Sequence, residues 1–161
     1  MEDIFEFAKQ MELDGKAMYE EEAAKVNNPG LKKILLMLAE EEQKHYDLFD
    51  AMKNSGDLGV LPSISMSAIK NVFQEIKDSG EKIELPENET EFYKKALEIE
   101  QKSEQFYRSE AAKQSGNVQE TMIKIAEEEH RHAILMENMI QFVNRPNEWV
   151  EHAEFNHIED Y

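Results

Sequence analysis

The apolar positions of this chain fall into four long stripes that step by alternating threes and fours, the spacing of a helix face that meets a core. The first stripe is Phe5, Ala8, Glu12, Gly15, Tyr19 and Ala23, and it predicts a helix over about residues 4–26. The second is Leu31, Leu35, Leu38, Glu42, His45, Phe49 and Met52, a helix over about 31–53. Asn27-Asn28-Pro29-Gly30 between them reads as a stop. So short a link makes the two helices antiparallel neighbours. The third stripe is Phe92, Ala96, Glu100, Ser103, Tyr107 and Ala111, a helix over about 91–113 opened by a capping box at Asn88-x-x-Glu91. The fourth is Val118, Met122, Ile125, Glu129, His132, Met136 and Met139, a helix over about 118–143 that stops before Asn144-Arg145-Pro146. Residues 54–90 break the pattern with Ser, Gly, Pro and Asp, apart from Ser67–Lys77, whose Ile69, Val72, Phe73 and Ile76 share one helical face. A link of that length crosses a bundle and returns the chain to its starting end. The expected fold class is all-α: a four-helix bundle over 1–146 with one long crossover at 54–90. An acidic, aromatic tail at 147–161 is expected to pack on the bundle or on a partner subunit.

Each stripe is interrupted by polar residues where leucine belongs. The segments Ala39–His45 (AEEEQKH) and Ala126–His132 (AEEEHRH) each carry a Glu-x-x-His pair, Glu42/His45 and Glu129/His132. Residues three apart on a helix share a face, so each pair points a carboxylate and an imidazole inward. The chain is an internal duplication. Glu12/Glu100 and Tyr19/Tyr107 repeat at an offset of 88, and Glu42/Glu129 and His45/His132 at 87. Burying ionised carboxylates without a partner is very costly, and bound metal is the simplest compensation.

Composition narrows the chemistry. Eighteen basic against 35 acidic residues give a net charge of −17, which argues against nucleic acid or an anionic membrane surface as partner. There is no cysteine, which removes disulfides, thiol catalysis, Cys-type zinc sites and iron–sulfur clusters. No apolar run approaches a membrane span. Glu2 and Asp3 follow Met1 where a signal peptide starts basic, so a cytoplasmic protein is expected. The runs Glu20–Glu22 and Glu40–Glu42 read as solvated faces from which only Glu42 turns inward. Glu22 and Glu110 read as helix-end surface residues. His130 sits about 100° around the helix from Glu129 and reads as exposed, as do His152 and His157 in the tail.

Six residues remain: Glu12, Glu42, His45, Glu100, Glu129 and His132. One Glu from each of two helices and a Glu-x-x-His from each of two others is the ligand recipe of di-iron carboxylate bundles. On these residues, and on the Glu-x-x-Gly/Ser-x-x-x-Tyr signatures Glu12…Gly15…Tyr19 and Glu100…Ser103…Tyr107, the chain resembles the ferritin-like superfamily, and most of all the rubrerythrin-type domain. The resemblance runs from about Phe5 to Phe142. It implies two iron ions per chain, with manganese or zinc as substitutes. Glu42 and Glu129 would bridge, Glu12 and Glu100 would be terminal, and each imidazole would bind one metal. For Tyr19 and Tyr107 two roles stand open, core aromatic or hydrogen-bond donor to the ligand carboxylates.

The resemblance also implies an oxidoreductase that reduces hydrogen peroxide or dioxygen to water in peroxide defence, and at least a dimer. Two departures matter. Rubrerythrins usually carry a four-cysteine rubredoxin module, so electrons here are expected from an external donor such as a rubredoxin. Rubrerythrins also carry an extra glutamate three residues after the ligand on their third helix, where this chain has Ser103. The alternatives are an iron-binding ferroxidase without steady turnover, or a metal-stabilised interaction module.

Overall fold

The computed structural model of the chain describes residues 3–54, 66–79 and 87–144. Among them the chain is wholly helical, in five helices: α1 (Ile4–Lys25), α2 (Pro29–Asn54), α3 (Met66–Ser79), α4 (Glu87–Ala111) and α5 (Gly116–Asn144). The connections at 55–65 and 80–86, and the tail at 147–161, lie outside the described residues.

Helix ends follow local chemistry, and α2 and α4 each begin a few residues earlier than the sequence suggests. Asp3 caps α1 by accepting from the Phe5 amide at 2.9 Å. Asn27-Asn28-Pro29-Gly30 follows the end of α1 at Lys25, as a stop should, and also starts α2. Asn28 Oδ1 accepts from the Gly30 and Leu31 amides at 2.9 and 3.1 Å, and Pro29 opens α2. Proline suits that first position, where its missing N–H has no partner to lose and its φ is already helical. α4 begins at Glu87, a few residues before the start expected from the sequence. Between α4 and α5, Gly116 takes a left-handed φ of 63°, open to glycine without strain.

α1 packs along α2, and α4 along α5. Lys53 at the end of α2 pairs with Asp3 and Glu6 at the start of α1, and Lys9 pairs with Asp50, which marks the first pair as antiparallel. Exposed ion pairs of this kind fix orientation more than they stabilise. The four faces read from the sequence turn inward. Leu31, Leu35, Leu38, Phe49 and Met52 of α2 are buried, as are Met122, Ile125, Met136 and Met139 of α5. Full burial of each such side chain contributes about 1.5–3 kcal/mol.

The core is split in two. One cluster joins Tyr19 and Ala23 of α1, Leu31 to Ala39 of α2, the apolar face of α3, Tyr93 and Ala96 of α4, and Leu135 to Phe142 of α5. The other joins Ala8, Leu48, Phe49, Met52, Tyr107, Ala111, Met122, Ile125 and Ala126. The Glu and His interruptions form the layer between them.

α3 is slightly longer than the sequence suggests, and Ile69, Val72, Phe73 and Ile76 are all buried. It seats against the start of α2 through Gly30. A Cβ there would come 2.7 Å from Ile76 Cδ1 and Cγ1 and 3.1 Å from Val72 Cγ1.

Candidate metal centre

Four helices bring the six sequence-selected residues together. Glu12 comes from α1, Glu42 and His45 from α2, Glu100 from α4, and Glu129 and His132 from α5, and all six are buried. His45 Nδ1 lies 3.1 Å from Glu129 Oε1 and 3.5 Å from Glu12 Oε2. In the duplicate, His132 Nδ1 lies 3.4 Å from Glu42 Oε1 and 3.6 Å from Glu100 Oε1. The sequence repeat is therefore a two-fold repeat in space. The imidazole rings face one another at 6.1 Å, tilted by 18°.

At least one buried polar atom of each residue makes no hydrogen bond. Glu12 Oε2, Glu42 Oε1, His45 Nδ1, Glu100 Oε2, Glu129 Oε1 and His132 Nδ1 are buried and make no hydrogen bond. Native interiors pair nearly all such atoms. Ligand atoms of Glu12, Glu42, His45 and Glu129 lie within 4.8 Å of one another, and so do those of Glu42, Glu100, Glu129 and His132. Glu42 and Glu129 belong to both groups. Two quartets of O and N donors sharing two carboxylates fit a pair of metal ions. Four carboxylates against two divalent cations leave the layer neutral, which a dry interior requires.

Burial and mutual repulsion shift the carboxyls of this layer in opposite directions. Burial, and then the neighbouring charges of Glu12 and Glu100, push the Glu42 carboxyl well above its usual range. Burial and the charges of Glu100, Glu42 and Glu12 do the same to Glu129. Burial also opposes ionisation of Glu12, but hydrogen bonding to Glu42 and the nearby His45 and Tyr107 outweigh it and hold Glu12 low. Glu100 is held down to about 2 because hydrogen bonding to Glu129 and the His132 charge outweigh its burial. His132 is raised, since the Glu100 and Glu42 carboxylates overcome the cost of burying its charge. The two carboxyls shared between the quartets are thus the two that cannot stay ionised without a cation.

Tyr19 and Tyr107 close a reciprocal clasp between α1 and α4. Tyr19 donates to Glu100 Oε1 and Tyr107 donates to Glu12 Oε1 at 2.7 Å. Burial, and then carboxylate charge, raises both phenols well above their usual value, so both keep the proton they donate.

Sequence reasoning missed a further pair. Glu41 and Glu128, read or passed over as solvated, are buried, and their carboxylates come within 4.8 Å of each other and of a His132 ring nitrogen. Glu41 Oε1, Glu128 Oε2 and both histidine Nε2 atoms have no hydrogen-bond partner. The signal was present in the repeat, since Glu41 and Glu128 also coincide at the offset of 87. Glu22 is likewise buried, beside Glu89 of α4, whereas Glu110 is partly exposed and pairs with Lys113. His130 lies outside both quartets. It is half-buried and bonds Glu104 Oε1 through Nδ1 at 2.8 Å.

An all-helical frame with buried carboxylate–imidazole quartets defines a ferritin-like metal-carboxylate domain. The rubrerythrin family model matches residues 3–140, and the chain belongs to the rubrerythrin family, whose domain is of the di-iron type. No curated protein and no solved structure matches the chain. No helix of the described residues is long and apolar enough to cross a membrane.

Proposed function

We propose that this chain is a non-haem di-iron oxidoreductase that reduces hydrogen peroxide, or dioxygen, to water with electrons from an external donor. The observation that carries the reading is the set of six partnerless donor atoms, one from each of Glu12, Glu42, His45, Glu100, Glu129 and His132, in two overlapping quartets. Glu42 and Glu129, common to both quartets, would be shared by both ions, while Glu12, Glu100 and, through Nδ1, His45 and His132 would each hold one. When bound, two ferrous ions supply the two electrons that cleave an O–O bond.

The chain's own residues do the rest. The apolar clusters on either side of the layer exclude bulk water. Tyr19 and Tyr107 hold Glu100 and Glu12 in place by hydrogen bonds. Glu41 and Glu128, buried within 4.8 Å of a His132 ring nitrogen, would help to orient that imidazole through their charge.

The frame for this chemistry is a four-helix bundle with one long crossover. Its support is that the N-terminal halves of α2 and α4 share one apolar cluster while their C-terminal halves share the other. The two helices then run parallel, as a returning connection requires. A protein of the rubredoxin kind is the donor in this proposal. A cytoplasmic homodimer completes the proposal.

Rapid mixing of anaerobic, ferrous-loaded protein with hydrogen peroxide tests it. Oxidation of both irons faster by peroxide than by dioxygen is expected. A second reading, an iron-binding ferroxidase, draws on Ser103, which leaves the ligand set symmetric. It predicts the reverse order of rates and no repeated turnover with a reductant.

A further inference from the structure

Glu12 and Glu100 are each followed three residues later by a small residue, Gly15 and Ser103. Three residues bring a side chain back to nearly the same helix face, so these positions flank the metal centre. They are equivalent in the internal repeat, and they line one and the same groove between α1 and α4, of about 480 Å³. Met11, Met18 and Ile99 also line it, with Lys95 exposed at its edge.

The groove stops at the metal centre itself. A Cβ on Gly15 would come 3.1 Å from Glu42 Oε2 and 3.4 Å from Glu42 Cδ. Glycine therefore leaves only backbone between groove and carboxylate. Glu42 is also the most exposed of the six ligand-type residues, at 4 %, while both histidines are at 0 %. Its Oε1 is one of the partnerless atoms.

We propose that this groove is the port through which small molecules reach the metal centre, and that Gly15 and Ser103 set the size of what passes. The inference rests on the di-iron reading. A Cβ on Gly15 would already crowd the Glu42 carboxylate, so the port is tight at its inner end, admitting compact species and rejecting bulkier ones at the last step. Hydrogen peroxide and dioxygen fit; a branched organic hydroperoxide enters the mouth but not the floor.

Sodium azide is the probe, followed by its absorption change on the oxidised, iron-loaded protein. Ferrous uptake by the apoprotein is timed alongside. Two variants narrow the path: Ser103→Leu at the floor, and Ala17→Trp at the solvent-exposed rim, where Ala17 also lines the groove. Ala24→Trp, exposed on the same helix but away from the groove, is the control. Both narrowing variants are expected to bind two irons per chain at equilibrium, yet to take up azide roughly ten-fold more slowly or worse. If Ser103→Leu loses iron or does not fold, Ala17→Trp decides, since its side chain lies outside the core. Wild-type azide rates in Ala17→Trp, or equal slowing in Ala24→Trp, overturn the port. A wild-type protein that binds no iron overturns the di-iron reading, and the port with it; a silent variant of an iron-loaded protein overturns the port alone.

Discussion

Tyr107→Phe removes one oxygen and little else. The ring stacks on Phe49 at 5.3 Å and meets Phe106 edge-on at 5.4 Å, and phenylalanine keeps both contacts. What is lost is a fully buried hydrogen bond of 2.7 Å to Glu12 Oε1. A bond to a charged partner contributes about 1.5–3 kcal/mol. In the metal-free chain Glu42 and His45 still support Glu12 once the phenol oxygen is gone, which limits the loss there. In the loaded protein Glu12 must stay ionised, so most of the cost falls on binding. A difference of about 1.4–2.7 kcal/mol corresponds to 10–100-fold in affinity, the usual effect of removing a group that orients a metal ligand. The assay is an anaerobic competition titration against a chromophoric chelator near neutral pH. Tyr107→Phe should still bind two ions, one of them about 10–100-fold more weakly. Tyr19→Phe, its counterpart on Glu100, should do the same. Unchanged affinity in both variants, or complete loss of metal, would refute the reasoning.

Glu42→Ala or Glu129→Ala should abolish two-ion binding, because each carboxylate serves both quartets, whereas His130→Ala should keep the wild-type metal content by elemental analysis. Glu89, buried beside Glu22 and Tyr93, titrates at about 7 because burial and then the Glu22 charge oppose its ionisation. The unfolded chain ionises this group at lower pH, so the native state holds the extra proton between about pH 4.5 and pH 7 and loses stability as pH rises through that window. Glu89→Gln should flatten that loss, on the order of 1–2 kcal/mol after solvent screening, in denaturant melts at about pH 5 and pH 8; parallel wild-type and variant profiles would exclude it. Gly30→Val should destabilise by about 1–3 kcal/mol by forcing α3 off α2, read as a lowered melting temperature.

The stripes were legible because burial in a helical protein has a period, and the six ligand-type residues were legible because they break that period twice in register. Glu41 and Glu128 were not, and the reason is geometric. A single stripe describes a helix packed against one neighbour, but α2 lies along α1 and also meets α3 and α5. Its buried arc is therefore wider than the stripe, and Glu41 falls in the added part. Glu22 escaped for a related reason: what buries it is the start of α4, which no local pattern reveals. The apolar face of α3 was plain from Ile69, Val72, Phe73 and Ile76, but its seat was not, since nothing local ties Gly30 to Ile76. Pro29 carries two signals, of which the stop after α1 was legible and the start of α2 was not, because proline both ends one helix and begins the next.

The most direct test of the central claim is an anaerobic ferrous titration of the purified apoprotein. The account predicts saturation at two irons per chain, abolished in Glu129→Ala and retained in His130→Ala. Saturation at one iron, or an iron content indifferent to Glu129, would contradict it.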